Sequence, residues 1–249
     1  NIVSVDHSFD LGEAPQELNS RSWLTHVILR QPTCLFNYTN IGYQTYYVDP
    51  EAIGLMTQMM FDVHRLGQVI SNLNDTEPII RNANMVTFDM AAARASDAPG
   101  TAYSTPNGFY GEQMCQMAKF AGMSDKVNSI GIFETNPRFD HNGQTAQLAA
   151  QMLWYFMDGV MNRLGDFPGL SQEMDNHFRY YVKVEGQEDE ILFFKSKKSD
   201  RWWIQVPCPE YLQTRYRRHI TVPCSYADYQ MACTNELPDR YWQVFQKIM

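Results

Sequence analysis

Three short stretches bring carboxylates together with the residue types that commonly accompany them at reactive sites. Val5-Asp6-His7-Ser8-Phe9-Asp10 follows the apolar run Ile2-Val3-Ser4. Met85-Val86-Thr87-Phe88-Asp89-Met90-Ala91 precedes Ser96-Asp97-Ala98-Pro99-Gly100, and Ser129-Ile130-Gly131-Ile132-Phe133 runs into Glu134-Thr135-Asn136-Pro137. Asp6, Ser8 and Asp10 are spaced by two, so in extended chain their side chains share a face. Carboxylates presented in this way hold cations. Acidic residues closing three successive strands mark the ligand-binding edge of a parallel α/β sheet.

The elements needed to position them follow from the apolar pattern. Strands are expected at 2–5, 35–44, 85–88 and 129–133, alternating with helices at 52–66, 111–121 and 145–164. In the last helix Ala149, Leu153, Phe156, Val160 and Leu164 recur at steps of three or four and predict a core-facing stripe. This alternation implies a parallel sheet with helices on its faces, placed in a domain of residues 1–170. From Asn176 the texture changes: Phe178 to Glu185 alternates, Gly186-Gln187-Glu188-Asp189 supplies a turn, and Glu190 to Lys195 follows as a second strand. A third strand is expected from Arg201 to Val206. Two short helices follow, one opening at Ser225 with Asp228 in capping-box position and one over 239–247. Residues 171–249 thus read as an aromatic-rich α+β extension expected to dock on the main domain. The chain opens directly on an apolar strand, so further residues are expected upstream of Asn1.

With 44% hydrophobic and 13% aromatic residues among 249, the chain is globular, not disordered. A net charge of −8 argues against a nucleic-acid binder; the basic run Arg215 to His219 reads as a solvated or salt-bridged loop. Cys34, Cys115, Cys208, Cys224 and Cys233 form no C-x-x-C pair, which excludes a zinc ribbon or thioredoxin motif and suits reduced thiols in a cytoplasmic protein. No apolar run is long enough for a membrane span, and no leader resembling a signal peptide is seen.

The order and context of the three strand ends resemble the ureohydrolases: arginase, agmatinase and formimidoylglutamase. Their pattern has an Asp-Ala-His-x-Asp strand end, then Ser-x-Asp-x-Asp leading into Ala-Pro-Gly, then Glu-x-Asn-Pro. Here these correspond to Asp6 to Asp10, Thr87 to Ala91 with Ala98-Pro99-Gly100, and Glu134 to Pro137, the last leading to Gln144-Thr145-Ala146. The resemblance, over about residues 1–168, implies a three-layer α/β/α sandwich. It also implies a manganese pair at the strand C-termini that activates a bridging water to attack a guanidinium or formimidoyl carbon.

Carried over position by position, the resemblance implies a degenerate site. Asp6, Asp10 and Asp89 match carboxylate ligands. Ser8 stands at an imidazole position and Ala91 at a carboxylate position, so two ligands are lost. His7 is one residue out of phase and, on a continued strand, faces away. Glu134 is retained at the position that faces the substrate's cationic group. Three oxygen ligands hold at best one hard cation weakly, so no cofactor is expected, with a manganese pair only if the protein is active.

Without a metal, repulsion should raise the pKa of at least one of Asp6, Asp10 and Asp89, and Arg94 is expected to reach back as their counter-ion. The reading that follows is a non-catalytic homologue acting as a scaffold or interaction protein, as a homo-oligomer or with a protein partner. The alternative is a metal-dependent hydrolase of linear amidines, and a third reading is a sensor of cationic amines at Glu134. His26 invites comparison with a substrate-loop histidine but reads as a surface residue, and His64, His141, His177 and His219 show no metal spacing. Arg201-Trp202-Trp203 reads as packing of the tail, with a partner hot spot as the competing view.

Overall fold

The computed structural model describes residues 1–12, 17–169, 176–186 and 189–249. The chain divides into two units, Asn1–Arg163 and Leu164–Met249.

In the first unit, strands β1 (Ile2–Val5), β2 (Tyr38–Tyr43), β3 (Asp62–Arg65), β4 (Met85–Asp89) and β5 (Ser129–Phe133) alternate with helices. These are α1 (Trp23–Leu29), α2 (Pro50–Gln58), α3 (Leu66–Ser71), α4 (Thr76–Arg81), α5 (Gly111–Met123) and α6 (Gln144–Met161). The strands form one parallel sheet in the order β3-β2-β1-β4-β5. Pleating sends alternate residues of β1 to opposite faces. Val3 and Val5 join Val86 and Phe88 in a core with Met114, Met117, Leu148 and Met152 of α5 and α6. On the other face Ile2 packs with Leu24, Tyr38 and Met56. The sheet therefore lies between helical layers, the α/β/α arrangement that the resemblance implies.

Two elements depart from the sequence reading. The expected helix over 52–66 stops at Gln58, and residues 62–65 form β3 instead. Asp62-Val63-His64-Arg65 is polar because β3 is an edge strand, and its two-residue period is too short to distinguish from a helix face. The stripe on α6 is displaced by one residue: Thr145, Leu148, Met152 and Gly159 are buried with Phe156 against them, while Leu153 and Val160 are exposed. The rotation is set where α5 and α6 cross. A Cβ on Gly122 would stand 2.1 Å from the Phe156 carbonyl oxygen, and one on Gly159 would stand 2.5 Å from the Lys119 carbonyl oxygen. Only glycines permit that backbone approach, and it turns positions 152 and 159 inward.

The second unit holds an antiparallel sheet in the order β6-β7-β8-β9, made by β6 (His177–Val182), β7 (Ile191–Ser196), β8 (Trp202–Gln205) and β9 (Thr221–Cys224). Helices α7 (Glu210–Tyr216), α8 (Tyr226–Cys233) and α9 (Asp239–Ile248) accompany it. Part of the expected turn, Gln187 and Glu188, lies outside the described residues. The capping box at Ser225 is present: the Asp228 N–H donates to Ser225 Oγ and the Ser225 N–H to Asp228 Oδ2. Strand β9 escaped the sequence reading because it contains Pro223, which a sheet tolerates at an edge. Trp202 stacks on Tyr229 at 4.8 Å and Trp203 meets the His177 ring edge-on, so both tryptophans pack within this unit's own core and not as an exposed hot spot.

Among the described residues no helix is long and apolar enough to cross a membrane. All five cysteines are free thiols.

Candidate functional site

Parallel strands in register deliver their C-terminal residues to a common edge. Val5 is paired with Phe88, so Asp6 and Asp89 emerge side by side; Asp89 is paired with Phe133, so Glu134 emerges next. Asp10 and Glu134 both hold left-handed backbone, φ 50° and 57°. Such a conformation is uncommon for residues other than glycine, and at Glu134 it ends the extended run of β5. Asp6, Asp10, Asp89 and Glu134 together line a cavity of about 370 Å³ whose walls are the sheet residues Ile2, Ser4, Met85 and Thr87 with Trp23 and Val27 of α1. The structure thus gathers all four acidic residues singled out in the sequence.

The segments behind the edge explain the Ala98-Pro99-Gly100 and Asn136-Pro137 motifs. The Asn136 N–H donates to the Gly100 carbonyl at 2.7 Å, and the Gly100 N–H donates to Thr145 Oγ1 at 2.7 Å. Asp140 accepts from the Thr145 and Ala146 N–H groups and caps α6, which holds its carboxyl below the usual range. A Cβ on Gly100 would stand 2.5 Å from Asp140 Cβ, so glycine is required where these segments meet.

Each carboxylate has a distinct local anchor. Asp6 Oδ1 accepts from the Ser8 N–H at 3.0 Å, and Asp89 Oδ1 from the Ala91 N–H at 2.7 Å. Asp10 accepts from Trp23 Nε1 at 2.8 Å through Oδ2 and from Ser8 Oγ at 3.3 Å through Oδ1. Burial, reinforced by the Asp6 charge, pushes the Asp10 carboxyl up to about 8 and that of Asp89 to about 9. The expected raised pKa is therefore present, with desolvation as its larger cause and mutual repulsion second.

Two expectations about this edge are corrected. His7 does not face away: strand β1 ends at Val5, and the chain folds back through the Ser8 N–H, so the alternation of a continued strand does not apply. His7 is buried, its Nδ1 lies 3.1 Å from Asp6 Oδ1, and Asp6, His7 and Asp89 each offer a ligand atom within 4.8 Å of the others. Arg94 does not act as counter-ion. Its guanidinium lies 3.4 Å over the Tyr110 ring, in a separate cleft with Tyr43, Gln44 and Arg65. The bridge pairing of Arg94 with Thr105 carries it there. Among the described residues no lysine or arginine forms an ion pair with Asp6, Asp10 or Asp89.

Among the described residues no other histidine joins a group of potential metal-ligand atoms. His26 is exposed on α1, and His177 Nε2 donates to the Asp166 carbonyl in the second unit.

A parallel sheet with helices on both faces and carboxylates at its strand ends defines a class of α/β protein. The sequence model of the Arginase family matches residues 1–158, and this chain belongs to that family. The formimidoylglutamase of Staphylococcus aureus strain MSSA476 is 34% identical over 171 residues, covering 63% of this chain and 51% of that protein. The formimidoylglutamase of Staphylococcus haemolyticus is 36% identical over 73 residues, 29% of this chain and 24% of that protein. Among solved structures, Trypanosoma cruzi formiminoglutamase with Mn²⁺ superposes with a TM-score of 0.60 at 16% identity, covering 65% of this chain and 57% of that one. Formimidoylglutamase from Bacillus subtilis gives 0.58 at 16% identity, with 66% and 54% covered. The chain spans at most about half the length of these curated relatives.

A pair of manganese ions does not fit the residues present. At the two positions which the family resemblance assigns to an imidazole and a carboxylate stand Ser8, whose hydroxyl is turned onto Asp10, and Ala91, a fully buried methyl. Asp10 itself is engaged by Trp23.

Proposed function

We propose that this chain is a non-catalytic member of the arginase family that works as a scaffold or interaction protein, with a protein partner or a second copy of itself. The observation that carries this reading is the loss of donor atoms at Ser8 and Ala91. Two ions sharing a nucleophilic water need enough anionic and imidazole donors to fill both coordination spheres and leave one open position. With Asp10 turned onto Trp23, the edge keeps too few. Glu134 remains in the cavity lining, but a binding carboxylate without an activated nucleophile does not hydrolyse a C–N bond.

A second reading, hydrolysis of a linear amidine with an altered ligand set, draws support from His7, which adds an imidazole near Asp6 and Asp89. One experiment separates them: incubation of Mn²⁺-loaded protein with formimidoylglutamate, arginine and agmatine, following ammonia, formamide and urea. No product above the metal-only blank is expected. Turnover that disappears on Glu134→Gln overturns the non-catalytic reading.

A further inference from the structure

We infer that the first unit binds a small phosphate monoester in the cleft lined by Arg65 and Arg94, on the β2–β3 side of the sheet. This cleft, of about 540 Å³, shares no lining residue with the acidic cavity. The inference goes beyond the non-catalytic reading and does not depend on it.

The first observation is the segregation of charge. The chain carries 28 acidic residues against 20 lysines and arginines, yet two arginines and no carboxylate line this cleft. Among the described residues neither Arg65 nor Arg94 forms an ion pair. Like charges that share a cleft repel, and a dianion held between them replaces that repulsion by attraction. The second observation concerns Arg94. The Tyr110 ring, 3.4 Å away, engages the face of its guanidinium, whereas guanidinium N–H donors lie in the plane. Its Nε is buried without a hydrogen-bond partner, so the group is already partly stripped of water. A ligand therefore has less solvent to displace there.

The backbone holds both arginines in place. The Arg94 N–H donates to the Phe109 carbonyl at 3.0 Å, and the Ala95 N–H to the Thr105 carbonyl at 2.7 Å. A Cβ on Gly108 would stand 2.6 Å from the Arg94 nitrogen, so glycine is required where the two segments meet. Arg65 ends β3 and is paired with Tyr43 of β2. A planar guanidinium matches phosphate oxygens, and a phosphate monoester carries nearly two negative charges at pH 7, one for each arginine. The cleft is larger than inorganic phosphate needs and has the size of a small-molecule site. Tyr43, Leu66 and Ile70 give the organic part of the ester an apolar wall.

The test is calorimetric titration of the 249-residue chain with AMP and with ribose 5-phosphate. Adenosine, succinate and inorganic phosphate serve as controls, and EDTA is present so that no metal at the acidic edge holds the phosphate. At least one ester should bind saturably, and at least about tenfold more tightly than any control. Arg65 is exposed, so Arg65→Gln should leave thermal unfolding unchanged while weakening that ester at least about tenfold. Arg94→Lys keeps the charge, loses the planar fork and should weaken it as well. Failure of both esters to bind, affinity that survives Arg65→Gln, or a control bound as tightly as the ester overturns the inference. Each of these results leaves the non-catalytic reading standing.

Discussion

Trp23 Nε1 donates a hydrogen bond to Oδ2 of Asp10 at 2.8 Å, tying a strand-end carboxyl to the first turn of α1. The contact fixes how the acidic edge is shared: Asp10 faces the helix, while Asp6 and Asp89 face each other and His7. Below about pH 8 the Asp10 carboxyl carries its proton, so this is a bond between neutral groups. Trp23→Phe keeps the aromatic packing and removes only the donor. It should cost about 1 kcal/mol at pH 7, measured by urea denaturation. Because the Trp23 bond lowers the Asp10 pKa, its loss should also move the titration of that carboxyl upward, as read by ¹³C NMR. An unchanged midpoint in both experiments contradicts the pairing.

The pH dependence of stability follows from the same carboxyls. Asp10 and Asp89 release their protons near 8 and 9 in the folded protein but near 3.8 when unfolded. Between these values the folded state binds more protons, so stability declines as pH rises. The decline begins above about pH 4 and levels off above about pH 9. Thermal unfolding in the presence of a chelator should show a Tm lower at pH 9 than at pH 5, by roughly 5 °C or more. Asp89→Asn replaces the raised carboxyl by a neutral group of the same shape and should flatten the slope. A profile that climbs from pH 5 to pH 9, or an identical slope in the variant, contradicts the assignment.

Gly122 and Gly159 make a sharper structural prediction. A Cβ on Gly122 would come within 2.1 Å of a carbonyl oxygen on α6, which cannot rotate away as a side chain can. Gly122→Ala should therefore push α5 and α6 apart and destabilise the first unit by about 3 kcal/mol, despite the better helix propensity of alanine. Chemical denaturation reads this directly, and a variant as stable as the parent shows that the helices cross elsewhere.

That crossing also explains what was legible in the sequence and what was not. The strand ends could be read because their chemistry is local: an apolar run, then an acid, in three places and in one order. The register that brings Asp6 beside Asp89 is the pairing of Val5 with Phe88. The buried face of α6 is not legible in its own pattern, because Leu153 and Val160 look like core residues whereas burial is decided by two glycines far apart in sequence. The side to which His7 turns is hidden for a related reason. Alternation assumes that the strand continues, and here β1 stops at Val5 so that the next residues fold onto their own carboxylate. The position of Arg94 depended on its bridge pairing to Thr105, a contact no local pattern announces.

If the lost donors are what separates this edge from a two-ion site, restoring them should restore binding of a manganese pair. Ser8→His with Ala91→Asp places an imidazole beside Asp10 and a carboxylate beside Asp89. Ala91 is fully buried, so the new aspartate has neither solvent nor a cation to offset its charge. The metal-free double variant should lose about 3 kcal/mol or more of stability. Mn²⁺ at about a hundred times its Kd should return about 2.7 kcal/mol by mass action, a dependence the parent shows more weakly. Thermal unfolding with and without Mn²⁺, combined with elemental analysis, reads both quantities. A variant that gains no manganese over the parent shows that residues beyond positions 8 and 91 prevent the pair from binding, and that the loss of donors is not sufficient to account for this edge.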